Sequence, residues 1–195
     1  MLRSEDLILP SGKVISFDAI TNFVSSDVDI RDIAHNLSLE NRYNGSTKIP
    51  ISVAAHSIVG AEIAPYGIEI HMLLHDAAEA YIKDIPAYLK TFIRKYTNIY
   101  DIAEGIILGE IYNSLGIEMP TEDQLKIIKH IDEILLSIEL KEGFPELKVA
   151  GRVEVPEGEF IKSLCSLYHV SPDVIEVLYL RTFENHMYKM EISNL

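Results

Sequence analysis

The sequence predicts an all-α protein, a helical bundle with a small β-hairpin as an N-terminal appendage. Three observations predict this fold class. Apolar residues recur at helical spacing in successive segments from residue 30 almost to the C-terminus. Ser, Thr or Pro stands where several of these segments begin, as is typical of helix starts. Short apolar runs that flank a turn-forming cluster lie between residues 7 and 17.

The N-terminal part of the chain predicts a hairpin and one helix. Leu7–Leu9 and Val14–Phe17 flank Pro10–Lys13, whose Pro, Ser and Gly are typical of a turn. After a polar stretch, Ile30–Leu39 carries apolar residues with the period of a helix. We expect this helix to be broken near Tyr43–Gly45, where Asn and Gly follow each other.

The middle of the chain predicts four helices with short connections. Ser52 is in position to cap a helix that runs to about Ala64. A third helix is expected over Ile68–Ile82, and Pro86 opens a short fourth one. A longer apolar run follows in Thr97–Gly116 and ends at its glycine.

The C-terminal third predicts three more helices. Thr121 and Gln124 have the spacing of a capping box and start a helix that reaches about Lys141. Leu147–Val155 is compatible with a second hairpin or with a loop. Two helices follow, and Ser171 caps the last of them, with Pro at the first helical position.

The composition is that of one globular domain with an acidic surface. Of 195 residues, 17 are Lys or Arg and 30 are Asp or Glu, which gives a net charge of −13. We expect residues 1–195 to form a single domain, in which residues 1–26 are the β-rich appendage. The acidic balance argues against binding to an extended nucleic acid, which requires a basic face. A protein of this charge that acts on phosphate groups would need a local source of positive charge, such as a metal ion.

The sequence also indicates a cytoplasmic location. Cys165 is the single cysteine, so no internal disulfide can form, as is typical of a reducing compartment. Arg3, Glu5 and Asp6 interrupt the start of the chain, unlike a secretory leader. The apolar runs are shorter than the roughly 18 residues that span a bilayer, so no membrane partner is expected.

One predicted helix carries an unusual polar side. His71, His75, Asp76 and Glu79 lie on the same side of Ile68–Ile82, opposite Ala and Leu residues. This side has no Lys or Arg, only residue types that bind metals or transfer protons. An ordinary solvated face is the alternative.

Two residues on other helices are expected among apolar neighbours. Val59 and Ile63 share the helix face of His56, so we expect its imidazole to point towards the core. His56 is then either a buried histidine satisfied by a hydrogen bond or a metal ligand. Asp132 lies in the apolar arc of its helix, where an ionised carboxylate requires a cation or several donors. A salt bridge is the alternative to a metal there. Glu139 is nearer to the helix end, and we expect its side chain to reach water.

One hypothesis accommodates all three helices. His56, His75, Asp76 and Asp132 converge on a divalent cation, to which they offer two imidazoles and two carboxylates. This mixed set of nitrogen and oxygen donors suits Mn, Co, Fe or Zn, with Mg as a further candidate. It leaves coordination positions open for water and substrate.

Five short segments follow one another along the chain in an order that is also found in a known protein family. They are Asn41-Arg42-Tyr43, Ala55-His56-Ser57, His75-Asp76-Ala-Ala-Glu79, Asp84-Ile85-Pro86 and Lys129-His-Ile-Asp132. This pattern resembles the H…HD…D signature of the HD-domain metal-dependent phosphohydrolases, over about residues 11–140. Within this family, the segments resemble the branch that contains bacterial 5′-deoxyribonucleotidases and small phage-encoded dATP or dNTP phosphohydrolases. The phage-like character lies in Asp32–Ser38 and Leu74–Tyr81.

The resemblance implies an HD-domain helical bundle and a role for each matching residue. The residues that match the metal ligands are His56, His75, Asp76 and Asp132. Glu79 matches a carboxylate that acts as acid or base, and Asp84 matches one that orients the attacking water. Arg42 matches an arginine that contacts the phosphate.

Two positions depart from the family pattern. Tyr43 stands where the nucleotidases carry Trp beside the sugar and base, and Ala55 stands where family members often carry Glu. Ala55 therefore implies that a contact to the first metal histidine is missing. His35, seven residues before Arg42, and Lys13, in the hairpin turn, are further candidates for substrate contact. A structural histidine and a solvated lysine are the alternatives for these two.

We expect metal-dependent hydrolysis of deoxynucleotides by a cytoplasmic homo-oligomer. Water would attack the phosphorus next to the 5′ oxygen and release a deoxynucleoside, with phosphate from a dNMP or triphosphate from a dNTP such as dATP. A non-catalytic nucleotide- or metal-sensing module is the alternative, although such a module would be expected to lose ligands or carboxylates. A purely structural interaction protein is a third interpretation, in which His56 and Asp132 are coincidences.

Overall fold

The structure of the chain is a computed structural model that describes residues 2–19, 22–146 and 158–193. It confirms an all-α fold with a small β-hairpin near the N-terminus. The segment Leu147–Val155, for which the sequence allows a hairpin or a loop, lies outside the described residues.

The hairpin forms where the sequence predicts it. Strand β1 (Asp6–Ile8) and strand β2 (Val14–Ser16) pair antiparallel, with Leu7 opposite Ile15. The side chain of Ile15 is buried, so one face of this short ribbon packs onto the helical core.

Helices make up most of the described residues. The α-helices, in chain order, are α1 (Ile30–Leu39), α2 (Val53–Ile63), α3 (Glu69–Leu74), α4 (Glu79–Ile82), α5 (Ala87–Ile93), α6 (Ile99–Leu115), α7 (Glu122–Gly143), α8 (Glu159–Cys165) and α9 (Pro172–Ser193). Short 3-10 helices form at Ser25–Asp27, Arg42–Gly45 and Ser166–His169. Within the described parts of the chain, no helix combines the length and the apolar character needed to cross a membrane.

Two predicted helix starts are confirmed by their side-chain caps. The hydroxyl of Ser52 accepts a hydrogen bond from the amide of Ala55 (3.1 Å) at the start of α2. Thr121 and Gln124 form the reciprocal capping box at the start of α7. Each cap satisfies amides that have no partner within the helix, and so fixes where α2 and α7 begin.

The prediction of one continuous helix over Ile68–Ile82 is wrong. Helix α3 ends at Leu74, and α4 begins only at Glu79. In between, the amides of Ala77 and Glu79 donate to the carbonyls three residues earlier (3.0 Å each), as in a 3-10 helix. The backbone is therefore wound more tightly there than in an α-helix.

Two diverted backbone carbonyls explain this break. In a continuous α-helix, the carbonyls of Met72 and Leu73 would accept from the amides four residues later. The Met72 carbonyl instead accepts from Nδ1 of His75 (2.7 Å), and the Leu73 carbonyl accepts from the hydroxyl of Tyr179 in α9 (3.0 Å). Apolar periodicity does not report such bonds, which is why the sequence pattern predicts a continuous helix.

Helix α2 lies at the centre of the fold. All residues of Val53–Ala61 are buried, and α2 contacts α1, α3, α7 and α9. A helix that is apolar on all sides is typical of such a central position. His56 belongs to this helix and is fully buried, so its ring is held by the core of the protein.

Gly60 allows α2 and α3 to approach closely. A Cβ atom on Gly60 would lie 2.6 Å from Cε and 2.9 Å from Cγ of Met72, and 3.0 Å from Cδ1 of Leu135. Both neighbouring side chains are fully buried, so they have little space in which to move. The absent side chain is therefore part of the packing between α2, α3 and α7.

We expect Gly60→Ala to be less stable than Gly105→Ala by about 1–3 kcal/mol, the usual cost of overpacking a core. Both glycines are helical, so both substitutions gain the same helix propensity, but a Cβ on Gly105 meets no atom within 4 Å. The free energies of unfolding are measured by urea denaturation. Equal stability of the two variants would contradict this account of the packing.

Candidate metal and phosphate site

Three side chains from three segments form a cluster that could hold a metal ion. His56 in α2, His75 after α3 and Asp132 in α7 each offer one ligand atom, and these atoms lie within 4.8 Å of one another. Nε2 of His56 is 3.3 Å from Nε2 of His75 and 3.3 Å from Oδ1 of Asp132. The structure therefore brings together three of the four predicted metal ligands as one cluster.

Hydrogen bonds on the far side of each ring direct the two Nε2 atoms into the cluster. Nδ1 of His56 lies 2.7 Å from Oε1 of Glu139, and Nδ1 of His75 lies 2.7 Å from the carbonyl of Met72. A carbonyl or an ionised carboxylate can only accept, so both Nδ1 atoms donate. With the proton at Nδ1, the neutral tautomer of each ring carries its lone pair at Nε2.

The spacing of these nitrogens suits a shared ion. Two imidazole nitrogens bound at about 2.1 Å, with an angle of about 90–110° at the ion, lie about 3.0–3.4 Å apart. The two Nε2 atoms of His56 and His75 are 3.3 Å apart. Two imidazoles and a carboxylate form a donor set for a first-row transition metal or zinc.

Asp76, the fourth predicted ligand, lies beside the cluster. Its Oδ2 is 3.1 Å from Nε2 of His75 and 3.8 Å from Nε2 of His56. The same oxygen is 3.3 Å from NH1 of Arg42. The carboxylate thus contacts both imidazoles and the guanidinium, and its role as a ligand stays a prediction.

Asp132 is less buried than its sequence pattern suggests. The helical arc that packs into the core is formed by Ile128, Ile131, Leu135 and Ile138, all buried. Leu125, seven residues before Asp132 and on the same side of α7, is 51% exposed. Asp132 therefore lies at the edge of the apolar arc, with its side chain 43% exposed, and reaches the cluster from the solvent side.

Arg42 joins the cluster from the turn that follows α1. Its NH2 is 3.8 Å from Oδ1 of Asp132, and its Nε donates to Oε2 of Glu139 (3.0 Å). The next two residues, Tyr43 (φ 58°) and Asn44 (φ 53°), adopt left-handed conformations that are costly for residues with a side chain. Such strain persists only where the surrounding contacts impose it. The sequence predicts a break here, and the structure confirms it.

The prediction that the side chain of Glu139 reaches water is wrong. Glu139 is fully buried, whereas we expected its side chain to reach water at the helix end. Its carboxylate accepts from Arg42, from the hydroxyl of Tyr43 (2.8 Å) and from Nδ1 of His56 (2.7 Å). The hydroxyl of Tyr168 lies 3.5 Å from Oε1. Its position two helical turns after Asp132, on the same side of α7, is the signal that could have found it.

Glu139 supplies the contact to His56 that is expected to be missing because residue 55 is Ala. The resemblance implies that Ala55 leaves the first metal histidine without a contact, because family members often carry Glu there. In the structure, the hydrogen bond to His56 comes from Glu139 instead, across the interface between α2 and α7. Ala55 is buried and supplies no polar side chain.

The close charges shift the pKa values of the cluster. Burial and the charge of Arg42 lower the pKa of His56, but the carboxylates of Glu139 and Asp132 outweigh them and raise it to about 9. Partial burial raises the pKa of Asp132, but the contact with His56 prevails and lowers it to about 2. Burial raises the pKa of Glu139, but the charges of Arg42 and His56 prevail and lower it. Burial raises the pKa of Asp76, but the contact with His75 prevails and lowers it. The carboxylates of Asp76, Asp132 and Glu139 are therefore ionised around two cations, Arg42 and protonated His56.

The two predicted catalytic carboxylates lie next to this cluster. Glu79 is buried; Oε1 is 3.5 Å from Nζ of Lys90, and Oε2 has no hydrogen-bond partner among the described residues. Burial and the charges of Asp76 and Asp84 raise the pKa of Glu79 well above its usual range. Burial and the charge of Asp76 also raise the pKa of Asp84, while Arg42 acts in the opposite direction. The sequence pattern gives no signal that Lys90 belongs to this site.

A cavity of about 390 Å³ opens beside Arg42. Its lining includes Arg42 and Asp84, and aromatic side chains come from Tyr43, Tyr88 and Phe144. The volume lies within the range of small-molecule sites, about 300–1,000 Å³. The cavity therefore offers a charged group and apolar ring faces to one ligand.

Two predicted substrate contacts lie elsewhere in the described structure. Nδ1 of His35 is 2.9 Å from Oε2 of Glu176, a contact between α1 and α9. Nζ of Lys13 donates to the carbonyl of Ser26. Neither residue is among those that line the cavity beside Arg42, so their contact with substrate stays a prediction.

No family model matches the chain. The chain is similar to the uncharacterized protein YfdR of Escherichia coli (strain K12), with 35% identity over 97 residues, which are 50% of this chain and 53% of YfdR. The chain thus matches about half the length of this relative, whose name assigns no activity.

In the metal-free protein, we expect His56 to titrate near pH 9 rather than near its ordinary value of 6.5. Because its pKa is raised on folding, the stabilisation is fully present below about pH 6.5 and is lost as the pH rises through about 9. NMR titration of the ring protons in the presence of a chelator measures the pKa. The signal is assigned by its absence in His56→Gln, and a midpoint at or below pH 6.5 would contradict the charge arrangement described here.

Proposed function

We propose that the protein is a metal-dependent phosphohydrolase that acts on deoxynucleotides. Water attacks the phosphorus next to the 5′ oxygen, and a deoxynucleoside leaves with phosphate or triphosphate as the second product. The observation that carries this proposal is the cluster of His56, His75 and Asp132, with the guanidinium of Arg42 3.8 Å from Asp132. Its residues are those that resemble the HD-domain phosphohydrolases.

The residues that would hold the ion are His56, His75 and Asp132, with Asp76 beside them. Around these residues, the negative charges of Asp76, Asp132 and Glu139 exceed the positive charges of Arg42 and protonated His56 by one. A divalent ion that replaces the proton on His56 balances these charges. When bound, Mn, Co, Zn or Mg would place positive charge at the phosphate oxygens and lower the pKa of a coordinated water.

Arg42 would bind the phosphate next to the ion. Its Nε is already engaged by Glu139, so the terminal nitrogens NH1 and NH2 point towards Asp76 and Asp132. A guanidinium held in this way offers two N–H groups to phosphate oxygens. Its side chain is only 14% exposed, which limits the competition from water.

Glu79 and Asp84 would divide the movement of protons. Burial and the charges of Asp76 and Asp84 raise the pKa of Glu79, so its carboxyl group holds a proton more readily than an ordinary carboxyl group and can donate it to the 5′ oxygen as it leaves. Asp84 lines the cavity beside Arg42 and can orient the attacking water through its carboxylate. Lys90, next to Glu79, would stabilise the negative charge that Glu79 carries after it has given up its proton.

The substrate is a single nucleotide rather than an extended nucleic acid. The chain carries a net charge of −13, so attraction for phosphate is confined to the cluster and to Arg42. The ring faces of Tyr43, Tyr88 and Phe144 along the cavity suit a sugar and a base.

We expect phosphate or triphosphate release from a panel of dNMPs and dNTPs only when Mn²⁺, Co²⁺, Zn²⁺ or Mg²⁺ is present. Product analysis of the two substrate series side by side identifies the bond that is cleaved. Folded protein that hydrolyses no nucleotide with any of these ions would refute the proposed function.

For the best substrate in this panel, we expect Glu79→Gln to lower kcat by about 10²–10⁴-fold, because the proton donor is lost. Glu62→Gln, at an exposed position of α2, is the matched control and should retain the activity of the unmodified protein. Steady-state kinetics at saturating metal measure both variants. A kcat within twofold in Glu79→Gln would exclude Glu79 as the acid.

A further inference from the structure

We propose that Glu139 is a positioning residue that couples the cation site to the phosphate-binding arginine through one buried carboxylate. Its contact with His56 orients a metal ligand, and its contact with Arg42 orients the group that binds phosphate. The second half of this inference rests on the proposed function. The first half needs only the cluster of His56, His75 and Asp132.

The two oxygens of Glu139 have different partners. Oε1 lies 2.7 Å from Nδ1 of His56 and 3.5 Å from the hydroxyl of Tyr168. Oε2 lies 3.0 Å from Nε of Arg42 and 2.8 Å from the hydroxyl of Tyr43. The carboxylate is fully buried, so water does not replace any of these donors. One oxygen thus serves the cation site, and the other serves the turn that carries Arg42.

At His56, the carboxylate selects the tautomer. It can only accept, so Nδ1 carries the proton and the lone pair of the neutral ring is at Nε2, which points to His75 and Asp132. A carboxylate behind a metal-bound histidine also makes the ring a stronger donor and prevents its rotation. Without Glu139, nothing among the described contacts of Nδ1 would fix this orientation.

At Arg42, the carboxylate occupies the inner edge of the guanidinium. Binding through Nε leaves the terminal nitrogens directed at Asp76 and Asp132. The hydroxyl of Tyr43 binds the same oxygen and holds the left-handed turn (φ 58° at Tyr43) in place. Glu139 therefore offsets the strain of the turn that presents Arg42.

The variant Glu139→Gln separates this role from simple packing, because it has the same shape. If the amide nitrogen faces His56, it donates to Nδ1, and the proton moves to Nε2, where it blocks the metal. If the amide nitrogen faces Arg42 instead, two donors oppose each other. Glu142→Gln is the matched control, the same substitution at an exposed position of α7.

We expect Glu139→Gln to weaken Mn²⁺ binding by about 10–100-fold, the usual effect of losing such a contact behind a ligand. Calorimetric titration with Mn²⁺ alone measures this effect, and Glu142→Gln should stay within about twofold of the unmodified protein. At saturating Mn²⁺, the KM for the nucleotide should rise in Glu139→Gln as well. A residue that is merely structural would lower the melting temperature and leave the Mn²⁺ affinity of the folded protein unchanged.

The outcomes distinguish this inference from the proposed function. If the unmodified protein hydrolyses nucleotides but folded Glu139→Gln binds Mn²⁺ equally well, the coupling is refuted and the proposed function stands. If the unmodified protein binds Mn²⁺ and hydrolyses nothing, the proposed function is refuted, and the ratio of Mn²⁺ affinities still decides the role at His56.

A measurement on the unmodified protein covers the case in which Glu139→Gln does not fold. Nitrogen-detected NMR of the Zn²⁺-loaded protein should show His56 with its proton on Nδ1 and its metal on Nε2. Metal on Nδ1 of His56, or no metal on this ring, would overturn the inference without any variant.

Discussion

The hydrogen bonds of one buried carboxylate are the constraint on which the candidate site depends. Glu139 is fully removed from water, and an ionised group in such a place is costly unless its partners compensate for the loss of hydration. The partners here are a guanidinium, an imidazole and two phenol hydroxyls, from the turn after α1, from α2 and from the 3-10 helix after α8. Because these donors come from segments far apart in sequence, the carboxylate can be satisfied only when the helices are assembled. The site and the packing of the helices are therefore one arrangement.

The break between α3 and α4 belongs to the same arrangement. His75 lies where the backbone turns more tightly, and the ring binds the Met72 carbonyl that a regular helix would use internally. His75 and Asp76 lie in this tighter stretch, where they reach His56 of α2, and Glu79 begins α4. A short 3-10 segment inside a helical pattern is often found at functional sites.

The sequence predicts the fold class and most helix boundaries, because caps and apolar periodicity are local. Ser52 and Thr121 begin their helices by bonds to amides within one turn, so their positions alone reveal the helix starts. The position of Glu139 two helical turns after Asp132 is the only sequence signal of its burial, and the exposure of Asp132 carries no such signal, because both depend on how α7 is rotated against α2. Lys90 was missed for the same reason, since its contact with Glu79 joins two separate helices.

The charge of the chain and the chemistry proposed for it are compatible. Asp76, Asp132, Glu79 and Asp84 belong to the acidic excess, and together with Glu139 they surround the two cations Arg42 and Lys90. We propose that His56, His75 and Asp132 bind one divalent ion in this setting. Pulsed electron paramagnetic resonance of the Mn²⁺-loaded protein tests it most directly, because imidazole nitrogens bound to Mn²⁺ modulate the signal. We expect two bound imidazole nitrogens, one of which is lost in His56→Gln, whereas a spectrum without nitrogen modulation would refute metal binding by these residues.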